Sequence, residues 1–200
     1  SIVTLNNRAL KDATAVGTTT GLGDLVFISR STASSSSSLS ITSGINSTYK
    51  EYIFFFNNIH PATDDTTFHF NLSVDGGSNY NVTKTSSVFD AYHNESGTTS
   101  ALAYDTLTDL AQSTNYQSIT PSLGADADQS ASGYLHLFNP SDTTFVKHFI
   151  VRMNRVQGAN FSGDRFVAGY GNTTSAVDAI DFKMASGNID SGTIDMYGVK

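Results

Sequence analysis

The strongest constraint on how this chain folds is an alternation of apolar and polar residues with a period of two. Phe68, Phe70, Leu72 and Val74 interleave with Thr67, His69, Asn71 and Ser73. Side chains that alternate in this way project to opposite faces of a strand and bury one of them. The pattern returns at residues 193–199, with Ile194, Met196 and Gly198 on one face and Thr193, Asp195, Tyr197 and Val199 on the other. Tyr52-Ile53-Phe54-Phe55-Phe56 is apolar on both faces. In a strand that calls for burial on two sides, at a sandwich centre or between a core and a partner subunit.

Turn signals divide the rest of the chain into further strands. Residues 24–30, with Leu25, Val26, Phe27 and Ile28, read as a first strand, and the serine run 34–38 as a loop. Asp75-Gly76-Gly77-Ser78 is a tight-turn sequence, so residues 79–84 are expected to return as the second arm of a hairpin. Tyr134-Leu135-His136-Leu137-Phe138 meets Asn139-Pro140-Ser141-Asp142 and continues over 144–155, a second hairpin around a type I turn. Residues 177–184 precede the final strand. Residues 100–112 space Leu102, Tyr104, Leu107 and Leu110 roughly as a helix would but lack a charged outer face, which leaves a short helix or an irregular stretch open. Residues 113–132 read as a long loop interrupted by a strand around Ile119. Eight to ten strands are expected, arranged as an all-β, antiparallel, jelly-roll-like sandwich over residues 24–200. Residues 1–23 carry few large apolar side chains and read as an extended N-terminal arm.

Composition agrees with strands. Thirteen Phe and nine Tyr provide core area, while acidic residues are almost all Asp, with only Glu51 and Glu95 as Glu. A formal charge of −7 disfavours nucleic acid and anionic membranes as partners. With no cysteine the chain has neither a disulfide framework nor a thiolate metal site. The first residues, Ser1-Ile2-Val3-Thr4-Leu5-Asn6-Asn7-Arg8, show no basic or apolar signal region, and no apolar run reaches the ~18 residues of a membrane span.

Candidate chemistry is sparse. Asp126 and Asp128 are spaced as in some calcium loops, but the further oxygen ligands and terminal Glu of such a loop are missing, so a solvated acidic loop is the reading. Asp64-Asp65 reads as a turn. His60, His69, His93, His136 and His148 are scattered without metal-ligand spacing. No Gly-x-Ser-x-Gly elbow or phosphate-binding glycine loop occurs. The six Asn-x-Ser/Thr sequons match what this composition yields by chance. No catalytic residue, cofactor or metal is therefore assigned. Lys147, Arg152, Arg155 and Arg165 gather cations in a short stretch. They either cover the rim of the core with their aliphatic stems or contact an acidic neighbour. Tyr80, Tyr92, Tyr104, Tyr116 and Tyr170 fall in or near expected loops, where they suit a carbohydrate-binding sandwich, although Trp is absent.

Three stretches carry a family resemblance: Asn6-Asn7-Arg8-Ala9-Leu10 in the arm, Leu135-His136-Leu137-Phe138-Asn139-Pro140-Ser141, and Ser191-Gly192-Thr193-Ile194-Asp195-Met196-Tyr197-Gly198. Together they resemble small structural proteins of tailed bacteriophage virions. The resemblance implies a non-enzymatic capsid decoration (cement) protein, assembled in the host cytoplasm and then extracellular on the virion. It also implies major capsid or tail proteins as partners and a homo-oligomer, a trimer being favoured. The expected assembly surface is Leu5, Arg8 and Leu10 of the arm, Tyr52, Phe54 and Phe56, and Arg152 and Arg155. The alternative readings are a phage tail or fibre component, or a carbohydrate-binding module that engages host-surface glycans.

Overall fold

The computed structural model describes residues 25–200, so the expected arm over 1–23, with Leu5, Arg8 and Leu10, lies outside the described residues. The described residues form twelve strands and no helix. In chain order they are β1 (Leu25–Thr32), β2 (Leu39–Ile41), β3 (Glu51–Pro61), β4 (Thr66–Ser73), β5 (Lys84–Asn94) and β6 (Ser100–Tyr104), followed by β7 (Gln117–Leu123), β8 (Ala131–Phe138), β9 (Lys147–Val156), β10 (Phe161–Gly171), β11 (Ala179–Met184) and β12 (Ile189–Val199). All pairings are antiparallel, in one eight-stranded sheet, β1-β12-β3-β8-β9-β10-β5-β6, and one four-stranded sheet, β2-β11-β4-β7.

Setting β5, β6, β9 and β10 aside exposes a simple plan. The remaining eight strands, renumbered along the chain, lie as 1-8-3-6 over 2-7-4-5, the double Greek key of a jelly roll. The four strands left over are two hairpins. One, β5–β6, is inserted between β4 and β7, and the other, β9–β10, between β8 and β11. They meet along β10 and β5 and carry the large sheet beyond the jelly roll.

The core lies between the sheets and is aromatic at its centre. Phe182 of β11 packs within 5.2 Å of the Phe56 ring, 5.8 Å of Phe54 and 6.0 Å of Phe68, which joins β3 of the large sheet to β4 and β11 of the small one. Phe70 of β4 meets Phe149 of β9 edge-on at 5.1 Å. Ile194 and Met196 of β12 and Leu135 and Leu137 of β8 complete the layer, all fully buried. The apolar faces foreseen for residues 68–74 and 193–199 therefore do turn inward, except that Val74 lies past the end of β4 and is exposed.

Several expectations are corrected. The turn at Asp75–Ser78 forms, with Gly76 and Gly77 at positive φ. However, residues 79–83 are not a strand: the chain crosses to the other layer, and β5 begins at Lys84 beside β10. Residues 100–112 contain no helix. Their first part is the edge strand β6, and the Asp105 carboxylate then accepts the Leu107 N–H and the Thr108 hydroxyl to form a turn. The second hairpin is real, but β9 starts at Lys147 because Asp142 accepts the N–H groups of Thr144 and Phe145 and holds them in the turn. Twelve strands replace the eight to ten expected, since β2 has three residues and β6 was read as a possible helix.

Phe182→Ala should lower unfolding free energy by about 3–5 kcal/mol, because the cavity would open against at least three other rings. Urea denaturation followed by far-UV circular dichroism checks this, and a loss below about 1 kcal/mol would mean that the two sheets do not close on Phe182.

Candidate functional site

The hairpin extension has two unlike faces. On its inner face the four-stranded sheet runs out, and a buried charge network fills the space. Asp90 of β5 accepts a hydrogen bond from Arg155 Nη1 of β9 at 3.0 Å and another from Arg165 Nη1 of β10. Arg165 also reaches Asp105 at 3.0 Å and the Thr108 hydroxyl, which ties the turn after β6 over the network. Both guanidinium groups are essentially inaccessible to solvent. Gly163 makes room for one of them, since a Cβ there would lie 2.7 Å from the Arg155 guanidinium. Burial lowers the basicity of Arg155, and Asp90 opposes that shift. Burial alone would raise the Asp105 carboxyl, but the Thr108 hydroxyl, the Leu107 N–H and Arg165 outweigh it and hold the group below the usual carboxylate range.

At the other end of β5, Lys84 is fully buried and donates to Asn71 Oδ1 and the Val82 carbonyl. Lys147, also buried, donates to the Phe145 carbonyl at 2.6 Å. The expectation that Lys147 and Arg155 lie at the rim is thus overturned: they point into the protein, because their alternation along β9 places them with Phe149, Val151 and Met153.

The outer face of the large sheet is the candidate functional surface. Its register aligns one side chain from every strand into a single row: Arg30, Asp195, Phe55, Tyr134, Arg152, Phe166, Phe89 and Tyr104. Arg30 pairs with Asp195 through two bonds of 2.6 Å. Arg152 lies 4.8 Å over the Phe166 ring, and Phe166 stacks on Phe89 at 4.7 Å with planes 8° apart. Cation–π and offset aromatic contacts of this kind hold the side chains upright on the sheet.

Depressions lie on both sides of this row. One, of about 560 Å³, has Ile150, Ala168 and Ser87 in its lining together with Phe138, His148 and Tyr170. The other side holds two smaller ones. Ser132, Tyr134, Arg152, Asn154 and Asp164 line a space of about 360 Å³, and Ala91, Tyr92, His93, Ser162 and again Asp164 line one of about 240 Å³. Here Arg152 donates to both carboxylate oxygens of Asp164, at 3.1 and 2.8 Å, and Asn154 donates to the Ser162 hydroxyl and the Gly163 carbonyl.

No family model, no curated protein and no solved structure matches the chain.

The residues expected to form an assembly surface separate into groups. Tyr52, Phe54 and Phe56 are fully buried between the sheets, so the strand that is apolar on both faces gives these three to the core and none to a partner. Tyr52 also exchanges hydrogen bonds with the Asn46 backbone through its hydroxyl. Arg155 is likewise interior, and of the two arginines only Arg152 remains at the surface, half exposed. Of the tyrosines expected in or near loops, Tyr92, Tyr104 and Tyr170 lie close to the ends of their strands. His136 and His148 do not meet: His136 sits opposite Ile150 and contacts Glu51, whereas His148 packs against Tyr170. Asp126 and Asp128 join no cluster of metal-ligating side chains among the described residues. Also among those residues, no helix is long and apolar enough to cross a membrane. Sequence reasoning missed the outer row, whose members come from strands far apart in the chain.

Two experiments probe this region. Asp90→Ala leaves two buried guanidinium groups without their shared carboxylate and should cost about 3–5 kcal/mol in urea denaturation; a loss below about 1 kcal/mol would remove the network from the account of how the extension holds. The second concerns pH. Burial, with Lys183 and Arg165 nearby, pushes His69 down to about 4 from 6.5, and burial pushes Lys84 down to about 7 from 10.5. In each case the unfolded chain binds the proton more tightly, so stability rises with pH between the folded and unfolded values. Denaturation midpoints should climb from about pH 4 to 6.5 and again above about 7. His69→Gln should flatten the first rise and Lys84→Met the second, whereas unchanged profiles in both variants would contradict these burials.

Proposed function

We propose that this chain is a non-enzymatic structural protein of a tailed-phage virion, a capsid decoration protein that acts by docking on neighbouring subunits. One observation carries the docking. The margin of the large sheet at β6 is an edge strand unpaired among the described residues, on which Leu102 is 73% and Tyr104 53% exposed, and Leu107 in the following turn is 92% exposed. An open strand edge invites pairing, and soluble proteins ordinarily blunt such edges with charge or cover them. Here large apolar side chains stand in solvent at the edge, which suits a margin covered by another subunit. The resemblance of residues 135–141 and 191–198 to virion proteins supplies the partner class, and a jelly-roll sandwich is compatible with it. A symmetric homo-oligomer, with a trimer favoured, follows from the same reading.

Light scattering and co-sedimentation with capsids and tails from the source virion test this. The parent protein should form a discrete oligomer and sediment with capsids. Leu102→Ser combined with Leu107→Ser should keep the melting temperature within a few degrees while releasing monomers and weakening sedimentation. A parent protein that stays monomeric at micromolar concentration and ignores both capsids and tails would overturn the proposal.

A further inference from the structure

The two depressions that share Asp164 do something the docking margin does not require. They lie on the outer face over β8, β9, β10 and β5, reach Ala101 of β6, and adjoin at Asp164, with Tyr134 toward one end and Ala91 and His93 toward the other. Small side chains open this trough: Ser132, Ala91 and Ser162 line it where neighbouring positions carry Phe55, Phe89 and Phe166.

Its lining is polar and electrically balanced. Arg152 spends Nε and Nη2 on Asp164, and the Tyr134 hydroxyl beside it also interacts with the guanidinium group. Each Asp164 oxygen takes one bond from Arg152 and keeps further acceptor capacity. Asn154 donates through Nδ2 to Ser162 and Gly163, and its Oδ1 accepts from no described residue. The trough therefore offers donors and acceptors side by side, held in place by a bidentate ion pair and by the Phe166 ring beneath Arg152. Because Asp164 already neutralises Arg152, an anion gains little over water and so does a cation. A neutral ligand whose neighbouring hydroxyls both donate and accept matches this set. The Tyr134 ring adds apolar area for the C–H face of such a ligand, next to a phenolic hydroxyl. The strands are spaced ~4.8 Å apart, so groups presented by successive strands recur at about the length of a pyranose unit.

We propose that this trough binds a short stretch of neutral oligosaccharide, with Arg152 and Asp164 gripping vicinal hydroxyls, Asn154 accepting a third, and Tyr134 packing against a sugar face. The polar groups of the site lie on β9 and β10, with β5 between them and the β6 margin, and only the far end of the trough at Ala91 borders Leu102.

Affinity electrophoresis of the full chain through gels containing dextran, laminarin or mannan, with alginate as an anionic comparison, tests the proposal. The parent protein should be retarded by at least one neutral polysaccharide. Arg152→Gln, Asp164→Asn and Tyr134→Ala should each weaken that retardation by about tenfold, the scale of losing a hydrogen bond to a charged group or a packed ring. Oligomeric state should not change, which separates this outcome from failure of the docking margin. Tyr134→Phe, which removes only a hydroxyl, serves if the alanine variant melts early. Three results would overturn the proposal: no retardation by any neutral polysaccharide, retardation equal in parent and variants, or retardation in alginate alone that salt abolishes. A parent dimer that Tyr134→Ala dissociates would also overturn it, by assigning the face to a second copy.

Discussion

Asp90 stands between the guanidinium groups of Arg155 and Arg165, and the far half of the large sheet depends on that contact. Four strands cannot cover eight. Where the small sheet ends, the inner face of β9, β10 and β5 would open to water unless something else closed it. The chain closes it with the segment after β6, anchored by Arg165 through Asp105 and Thr108. An apolar seal would have needed a wider small sheet. The ionic seal fixes geometry instead, because a shared carboxylate accepts both guanidinium groups only when three strands hold one register.

That register decides what the outer surface looks like. Along β9 the residues alternate strictly, with Lys147, Phe149, Val151, Met153 and Arg155 inward and His148, Ile150, Arg152 and Asn154 outward. Fixing Arg155 and Arg165 on the inside therefore fixes Arg152 and Asp164 on the outside, adjacent and able to pair. The network within and the trough without are two sides of one alignment.

Much of the jelly roll was legible in the sequence, because strands with one buried face write their period directly into the residues. The inward sets of β4 and β12, and the pairing of β8 with β9 through a short turn, could be read in this way. The destination of a strand after a turn could not. Asp75–Ser78 announces a reversal but does not say in which layer the chain resumes, and the crossing at residues 79–83 carries no periodic signal. β6 eluded the reading because an edge strand followed by an Asx-type turn spaces Leu102, Tyr104 and Leu107 much as a helix does. Arg155 was misplaced because a cation in an alternating strand is usually taken as an end that snorkels, whereas here its partner Asp90 lies on a different hairpin. The candidate site is a matter of register between distant strands, and no local pattern contains it.

The extension is assembled from two hairpins that leave the jelly roll at different points in the chain. Each is a local structure whose arms are neighbours in sequence, but the seam between β10 and β5 joins segments separated in the chain by β6, β7, β8 and β9. Closing such a seam carries the chain-entropy cost of a long loop before any contact across it forms. The hairpins thus belong to the early part of folding and the seam to the late part. Until the seam closes, Arg165 has no Asp90 beside it and the turn after β6 has nothing to hold. The Ala91 end of the surface trough therefore exists only once the seam has closed, whereas its Arg152–Asp164 end needs the β9–β10 hairpin alone.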